Sequence, residues 1–463
     1  MTYDVLFQPL QIGDVELKNR LAMAPMNMTY CAPNGYISDQ SIAWYATRAR
    51  GGFGLIITEC MVMNPHRWRG CDSLNPALIT DQRYYRQLNK LVEYIHTYDK
   101  TKIFIQMSPG WGRQGHPAHE TPDVPSAAPS CIPMQVDIRT LNKGWERQIK
   151  RVAPQILDLV GGDMDTLRNM NDEEYANLEN VLSEALEKDA PELLHVVYGD
   201  MPREITVDEI MDLENRMVLQ AEAAFMLGFD GIELHSPHGY LIHQFLSPRS
   251  NRRTDLYGGS LENRARFLVN IIKNIRAKIG PDKVLGARFS GDECMPGGIT
   301  HEEMKKVVTL AKAAGISYVN ISQGCYENPG AFAPDGEGEF TQYAPGFKEA
   351  AAGLPVITPG FITPETAAKA VEEGKTDVVS MGRQAIADPF WPAKVKTGRD
   401  KDIVKCVRCN HCYMNLFESK WIRCTVNPTA AWELYYPELW QKDATHEKKV
   451  KKYMARAEGL PQI

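Results

Sequence analysis

His235, His238 and Tyr240 place two imidazoles and a phenol within six positions of one another. That set could hold hydrogen-bond donors and a proton source around a single reacting centre. The residues leading into it, Gly231-Ile232-Glu233-Leu234-His235, read as a short buried strand, so the His-x2-His-x-Tyr group falls where a strand runs out into a loop. In a barrel of alternating strands and helices, that edge carries the chemistry. One buried His alone is as often a satisfied core group as a functional one. Three such groups on one strand end favour a site. A second concentration is Cys406, Cys409, Cys412 and Cys424, four of the ten cysteines within nineteen positions. Such density calls for metal. Zinc takes four thiolates, iron–sulfur clusters are held by four Cys at uneven spacing, and the spacing leaves both open.

The elements that must position these groups follow from apolar runs. Leu21 to Met26, Gly54 to Glu59, Lys102 to Met107, Val284 to Ser290, Tyr318 to Ser322, Val356 to Gly360 and Val378 to Arg383 read as seven further strands. Several are continuous apolar runs, as parallel sheets buried on both faces require. Arg288 within such a run is costly unless something anionic pairs with it. Cys60 sits at the exit of the second strand, read as a small packing residue rather than a reactive thiol. From Ser108 to Ile205 the chain runs 98 residues between strand three and the next helix, expected near Thr206, against the two to six typical of such connections. Ile149, Val152, Ile156 and Leu159 fall at helical spacing, as do Leu178, Val181, Leu182 and Ala185, with Asn171 as N-cap. A helical insertion over 132–204 is expected. Its stretch from Gly161 to Asp200 holds eleven acidic and two basic residues, either a solvated face or a lid or subunit contact at the catalytic rim.

The 463 residues suffice for one large barrel with additions, and a formal charge of −6 leaves no basic footprint for nucleic acid. No apolar run approaches the ~18 residues of a membrane span, and the first residues carry no basic-then-apolar leader. The expected compartment is the cytoplasm.

The stretch from Gly231 through Gln244-Phe245-Leu246-Ser247-Pro248 and Asn251-Arg252-Arg253-Thr254-Asp255 to Tyr257-Gly258-Gly259-Ser260-Leu261-Glu262-Asn263-Arg264 resembles the NADH:flavin oxidoreductases, the old yellow enzyme family. The resemblance implies an α/β fold, a (β/α)8 barrel carrying FMN over residues 1–400, interrupted by the insertion. By it, the backbone of Ala24, Pro25 and Met26 lies against the flavin with Asn27 over the ring, and Cys60 lines the same cofactor edge. Asn27 stands where related amine dehydrogenases carry a covalently bonded cysteine, so a non-covalent cofactor is expected. Gln106 would bond the pyrimidine ring and Arg288 the edge that gains negative charge on reduction. Gly360, Gly382 and Arg383, after strands seven and eight, would take the phosphate. Ser108 to Gln114 departs from the family pattern and leaves the substrate wall open.

Cys406-x2-Cys409-Asn410 with Cys412 and Cys424-Thr425-Val426-Asn427-Pro428 resembles the segment that holds a [4Fe-4S] cluster in dienoyl-CoA reductases, 2-enoate reductases and trimethylamine dehydrogenase. Residues 401–463 are therefore expected to form a cluster segment and tail, ending in a Lys-rich helix-like stretch from His446 to Glu458. Those relatives continue into domains binding FAD and NAD(P)H, whereas no G-x-G-x-x-G follows Pro428 here. The expected electron donor is NAD(P)H acting directly, a second subunit, or a reduced carrier such as ferredoxin, and a homo-oligomer is expected. The function implied is reduction of an activated C=C bond in an enoate, enone or enoyl-CoA, with Tyr240 as proton donor and His235 and His238 binding the activating oxygen. Two alternatives are amine oxidation, which would need an aromatic pocket, and a flavin/iron–sulfur electron-transfer subunit.

Overall fold

The computed structural model describes residues 3–32, 35–62, 82–98, 100–114, 126–152, 154, 158, 164–189, 197–199, 201–418 and 420–435. The expected positions Ile156 and Leu159 and the stretch 446–458 lie outside these residues. Among the described residues, twelve strands follow in chain order: β1 (Leu10–Ile12), β2 (Val15–Leu17), β3 (Leu21–Met23), β4 (Leu55–Val62), β5 (Lys102–Ser108), β6 (Ala127–Ala128), β7 (Arg203–Glu204), β8 (Gly231–His235), β9 (Val284–Ser290), β10 (Tyr318–Ser322), β11 (Val356–Pro359) and β12 (Val378–Met381). β3, β4, β5 and β8 to β12 close into a parallel barrel in that order. This is the TIM-type (β/α)8 architecture that the family resemblance implies. The antiparallel β1–β2 hairpin, which the apolar pattern did not announce, seals one end. Its Ile12, Val15 and Leu17 pack into an interior layer with Leu55, Phe104, Tyr318 and Val378.

Two glycines are dictated by that interior. A Cβ on Gly286 would stand 2.1 Å from the Tyr318 ring, and one on Gly231 would stand 2.8 Å from Phe104. β4 runs longer than expected and shifts register between Ile57 and Cys60. Cys60 therefore lies within the strand rather than beyond it. The bulge turns the strand's upper part relative to its lower part.

The outer helices start on strong caps. Thr206 and Glu209 form a capping box at Val207–Met226, and Thr300 and Glu303 form another at His301–Ala314. Between β5 and β8, helices Lys143–Val152, Met164–Arg168 and Asp172–Asp189 are formed. Asn171 Oδ1 accepts the backbone N–H of Glu173 and Glu174, the N-cap expected from its type. Leu182 is buried while Val181 is 48% exposed. These helices build a second apolar core in which Trp145, Leu167, Tyr175 and Leu182 pack with Phe332 and Met414. Phe332 belongs to the loop after β10 and Met414 to the cysteine segment, so the insertion lies across the rim and joins the two. No helix among the described residues is long and apolar enough to cross a membrane.

The chain after the barrel is drawn back onto it. Tyr30 donates to Ile422 O at 2.6 Å, and Asn427 to Ile386 O at 2.7 Å. Arg48 meets Glu433 at 2.8 Å with both side chains fully buried. Breaking such a pair from one side leaves an uncompensated buried charge. Glu433→Ala is expected to destabilise by about 3–5 kcal/mol, whereas the double change Arg48→Met with Glu433→Leu restores much of that loss. Denaturant midpoints of the two variants against the unaltered protein check this.

Candidate active site

At the C-terminal ends of the barrel strands, the inward side chains change from apolar to polar. Glu233 is wholly buried and accepts three hydrogen bonds: from Gln106 Nε2 at 2.7 Å, Asn320 Nδ2 at 2.8 Å and Tyr318 OH at 3.0 Å. Burial raises its pKa, and the nearby Arg288 guanidinium, ahead of these three donors, works against that rise. Arg288 stands opposite His235 in the β8–β9 register and donates to Ser322 Oγ at 3.2 Å. Its Nε is buried without a partner among the described residues.

Above this floor opens a pocket of roughly 1050 Å³ including its mouth. Every position expected to bind cofactor or substrate lines it: Ala24, Pro25, Met26, Asn27, Cys60, Gln106, His235, His238, Tyr240, Arg288, Gly360, Gly382 and Arg383. The wall from Ala24 is held by Ala24 N–H to Met381 O at 3.0 Å and by Met28 N–H to Glu59 at 3.0 Å. Glu59, pushed up to about 8 by burial, is a support that the sequence did not single out. Arg383 reaches beyond the pocket, donating to Asn410 Oδ1 and to Pro334 O, each at 2.7 Å.

The three chemical groups of the β8 end face one another. Ring centroids lie 5.3 Å apart for His235 and His238, and 5.1 Å apart for His235 and Tyr240. Both ring nitrogens of His235 are buried and have no hydrogen-bond partner among the described residues. His238 Nε2 pairs with Ser322 Oγ at 2.6 Å. Burial first and the Arg288 charge second hold both imidazoles well below the ordinary histidine pKa. Both are therefore neutral at physiological pH, each with one N–H to give.

The turn that aims them requires unusual backbone. His238 has φ 66° and Gly239 φ 81°, and a Cβ on Gly239 would lie 2.5 Å from Gln114 Nε2. Four contacts hold it. Gln114 Nε2 and Tyr326 N–H donate to His238 O, Gln244 Nε2 donates to Gly239 O, and Gly239 N–H donates to His243 Nδ1 at 2.8 Å. Behind the turn, Glu327 joins Arg113 and Arg249, which fixes the loops that carry Gln114 and Tyr326.

The sequence did not reveal the aromatic wall. Trp111, Tyr326, Phe332, Phe340 and Tyr413 also line the pocket. Trp111 lies 4.5 Å from Tyr240 between ring centroids, and Tyr326 lies 5.3 Å from Tyr240 and 4.7 Å from Phe332. Trp111 lies in the stretch that departs from the family pattern, which was the one available signal. The others come from a rim loop and from the cysteine segment, whose approach to the barrel depends on tertiary packing.

Cys406, Cys409, Cys412 and Cys424 are free thiols. Arg408 and Asn410 adopt left-handed backbone, φ 51° and 57°, curling the loop between the cysteines. Arg408 N–H donates to Cys406 Sγ at 3.4 Å, and Thr425 Oγ1 lies 3.3 Å from Cys409 Sγ. Burial, then the proximity of Cys406, pushes the Cys412 thiol up to about 12, with Cys424 and Cys409 adding to the rise. Cys412 itself lines the pocket.

Known proteins resemble the chain over most of its length. The model of the NADH:flavin oxidoreductase / NADH oxidase family matches residues 5–152 and 164–402. An NADH oxidase of Thermoanaerobacter brockii is 34% identical over 450 residues, covering 96% of this chain and 59% of its own length. A cinnamate reductase of Clostridium sporogenes is 29% identical, covering 94% and 59%. A solved 2-naphthoyl-CoA reductase in complex with 2-naphthoyl-CoA superposes with TM-score 0.74 at 28% identity, covering 93% of this chain and 58% of that one. The chain thus spans less than two thirds of the length of these relatives.

His243 emerges as a positioning residue for the turn. Its Nδ1 is the acceptor that fixes Gly239, and Asn Oδ1 can occupy the same place. His243→Leu is expected to lower turnover by ~10²-fold through misplacement of Tyr240. His243→Asn should recover most of it. Steady-state kinetics on the two variants, with bound-cofactor spectra to verify folding, checks this.

Proposed function

The chain belongs to the NADH:flavin oxidoreductase / NADH oxidase family, and we propose that it reduces an activated C=C bond, in an enoate, enone or enoyl thioester, with FMN in the barrel pocket. The observation that carries this reading is His235, whose two buried ring nitrogens bond nothing among the described residues while sharing the pocket with His238, Tyr240 and Arg288. A buried polar group left unsatisfied costs on the order of 1–3 kcal/mol. A ligand carbonyl would remove that cost.

The residues present fit the cofactor. Gln106 gives an amide N–H to Glu233 and keeps its carbonyl oxygen for a ring N–H. Arg288 retains a buried Nε–H with no partner, suited to the ring edge that becomes anionic. A Cβ on Gly382 would meet only Met26 among the described residues, which leaves room beside its backbone for a phosphate. FMN, when bound, supplies the hydride equivalent. His235 and His238 hold neutral N–H donors where charge develops on the activating oxygen, and loss of one such donor typically costs about 2.7–4 kcal/mol of barrier. Phenols are protonated at neutral pH, so Tyr240 can hand its proton to the α-carbon. The Tyr326 phenol, with its ring centroid 5.3 Å from that of Tyr240, provides a neighbour through which that proton is replaced.

The four cysteines are proposed to hold a [4Fe-4S] cluster. Two of their sulfurs already receive or share hydrogen bonds, a feature that tunes such clusters. Cys412 borders the pocket, a placement an electron relay needs and a purely structural zinc does not. The electron donor on this reading is NAD(P)H or a reduced carrier such as a ferredoxin or a donating subunit. A homo-oligomer in the cytoplasm belongs to the same proposal.

One observation favours a second reading, oxidation of an amine. The wall of Trp111, Tyr240, Tyr326, Phe332 and Tyr413 is of the kind that attracts ammonium groups. Against it, the buried Arg288 cation faces the same space. Tyr240→Phe separates the readings. The reductase account expects alkene turnover to fall by ~10²–10⁴-fold while reduction of the bound flavin by donor is kept. Unchanged turnover of a panel of enoates, enones and enoyl thioesters, or activity on alkylamines alone, would overturn it.

A further inference from the structure

Although the chain carries a formal charge of −6, cations gather where the cysteine segment meets the insertion helix Lys143–Val152. Arg147 donates to Arg408 O at 3.4 Å, and its neighbour Gln148 donates to Cys409 O at 2.7 Å. Arg151 and Lys420 both reach Glu418, at 2.9 and 2.6 Å. The Arg423 guanidinium lies 5.3 Å from the Trp432 ring centroid. Arg147 and Arg151 thus lie where that helix meets the loop of Cys406 to Cys412, and Lys420 and Arg423 precede Cys424 in the chain, which sets these charges beside the cysteines.

Beside these charges in the chain stand exposed apolar side chains. Val407, between Cys406 and Arg408, is 57% exposed, and Trp421 is 36% exposed. Arg147, Arg151, Lys420 and Arg423 set four cations against the Glu418 carboxylate, and exposed apolar groups beside such a net positive rim form a surface for association with a partner of the opposite sign. The rim steers encounter and the apolar centre excludes water at contact.

We propose that this face docks a small acidic electron-carrying protein, an assignment that rests on the cluster reading above and adds to it the place and the charge of the carrier. Each encounter takes one electron from the reduced carrier, which leaves oxidised. Two encounters supply the pair that saturation of one C=C bond consumes together with two protons. A nucleotide donor fits this surface less well, because its phosphates call for a backbone cradle and the charge here is spread over separate side chains around an apolar centre.

The test uses the full-length protein, purified anaerobically with its cofactors, and two probes: a small acidic ferredoxin and a basic cytochrome c of comparable size. Isothermal titration is run at about 20 mM and about 300 mM salt, a range over which screening shortens from roughly 20 Å to about 6 Å. The ferredoxin is expected to bind at low salt, to weaken about tenfold or more at high salt, and to weaken by a similar factor when Arg147→Glu and Lys420→Glu are combined. The cytochrome should not bind the unaltered protein. Iron, sulfide and flavin contents of the double variant should equal those of the parent. Absence of ferredoxin binding, or binding indifferent to both salt and charge reversal, overturns the proposal. Protein that binds ferredoxin in this manner yet contains no iron would overturn the cluster reading instead, and the two failures are therefore distinct.

Discussion

A carboxylate sits inside a closed parallel barrel, away from solvent, and the site depends on how it is kept there. Glu233 is held by Gln106, Tyr318 and Asn320, with the Arg288 guanidinium close by. An isolated charge at that depth would cost several kcal/mol. The remedy is a layer of polar side chains drawn from β5, β8, β9 and β10, all pointing inward at one level. That layer ends the apolar core and becomes the floor of the pocket. It also orients Gln106 and Arg288 upward, so that the groups that stabilise the barrel interior are the same ones that present hydrogen bonds to a ligand.

Everything above the floor modulates that presentation. The strained turn at His238 and Gly239 is held by Gln114, Gln244, Tyr326 and His243, none of which belongs to the His-x2-His-x-Tyr group itself. The insertion braces the far side through Trp145, which donates to Pro329 O at 3.0 Å and packs on Phe332. A segment whose acidic surface suggests a solvated face thus uses its apolar face to set one wall of the pocket. The Arg383 side chain connects the barrel to the cysteine loop through Asn410, which couples the two centres mechanically.

Much of the fold was legible because a parallel barrel strand is buried on both faces and therefore reads as an uninterrupted apolar run. The exceptions within those runs, Gln106, Glu233 and Arg288, marked the polar floor, although Glu233 was passed over as one residue of a strand. The bulge at Ile57–Cys60 and the β1–β2 hairpin were not legible, since each depends on register with distant strands rather than on local pattern. The aromatic wall was hidden for a similar reason: Trp111, Tyr326, Phe332 and Tyr413 are far apart in the chain and meet only when rim loop, insertion and cysteine segment fold onto one another. His243 was visible as a residue type but not as a support, because its task follows from the left-handed backbone four positions earlier.

The central claim is that the floor of Gln106, Glu233 and Arg288 and the wall from Ala24 to Asn27 receive an isoalloxazine ring bound without a covalent bond. The most direct measurement is the absorbance spectrum of the intact chain purified without oxygen, followed by acid release and chromatography of any pigment. The account expects a yellow-brown protein that yields about one FMN per chain into solution on denaturation. A colourless protein that fails to take up added FMN, or a flavin that stays attached to the denatured chain, would contradict it.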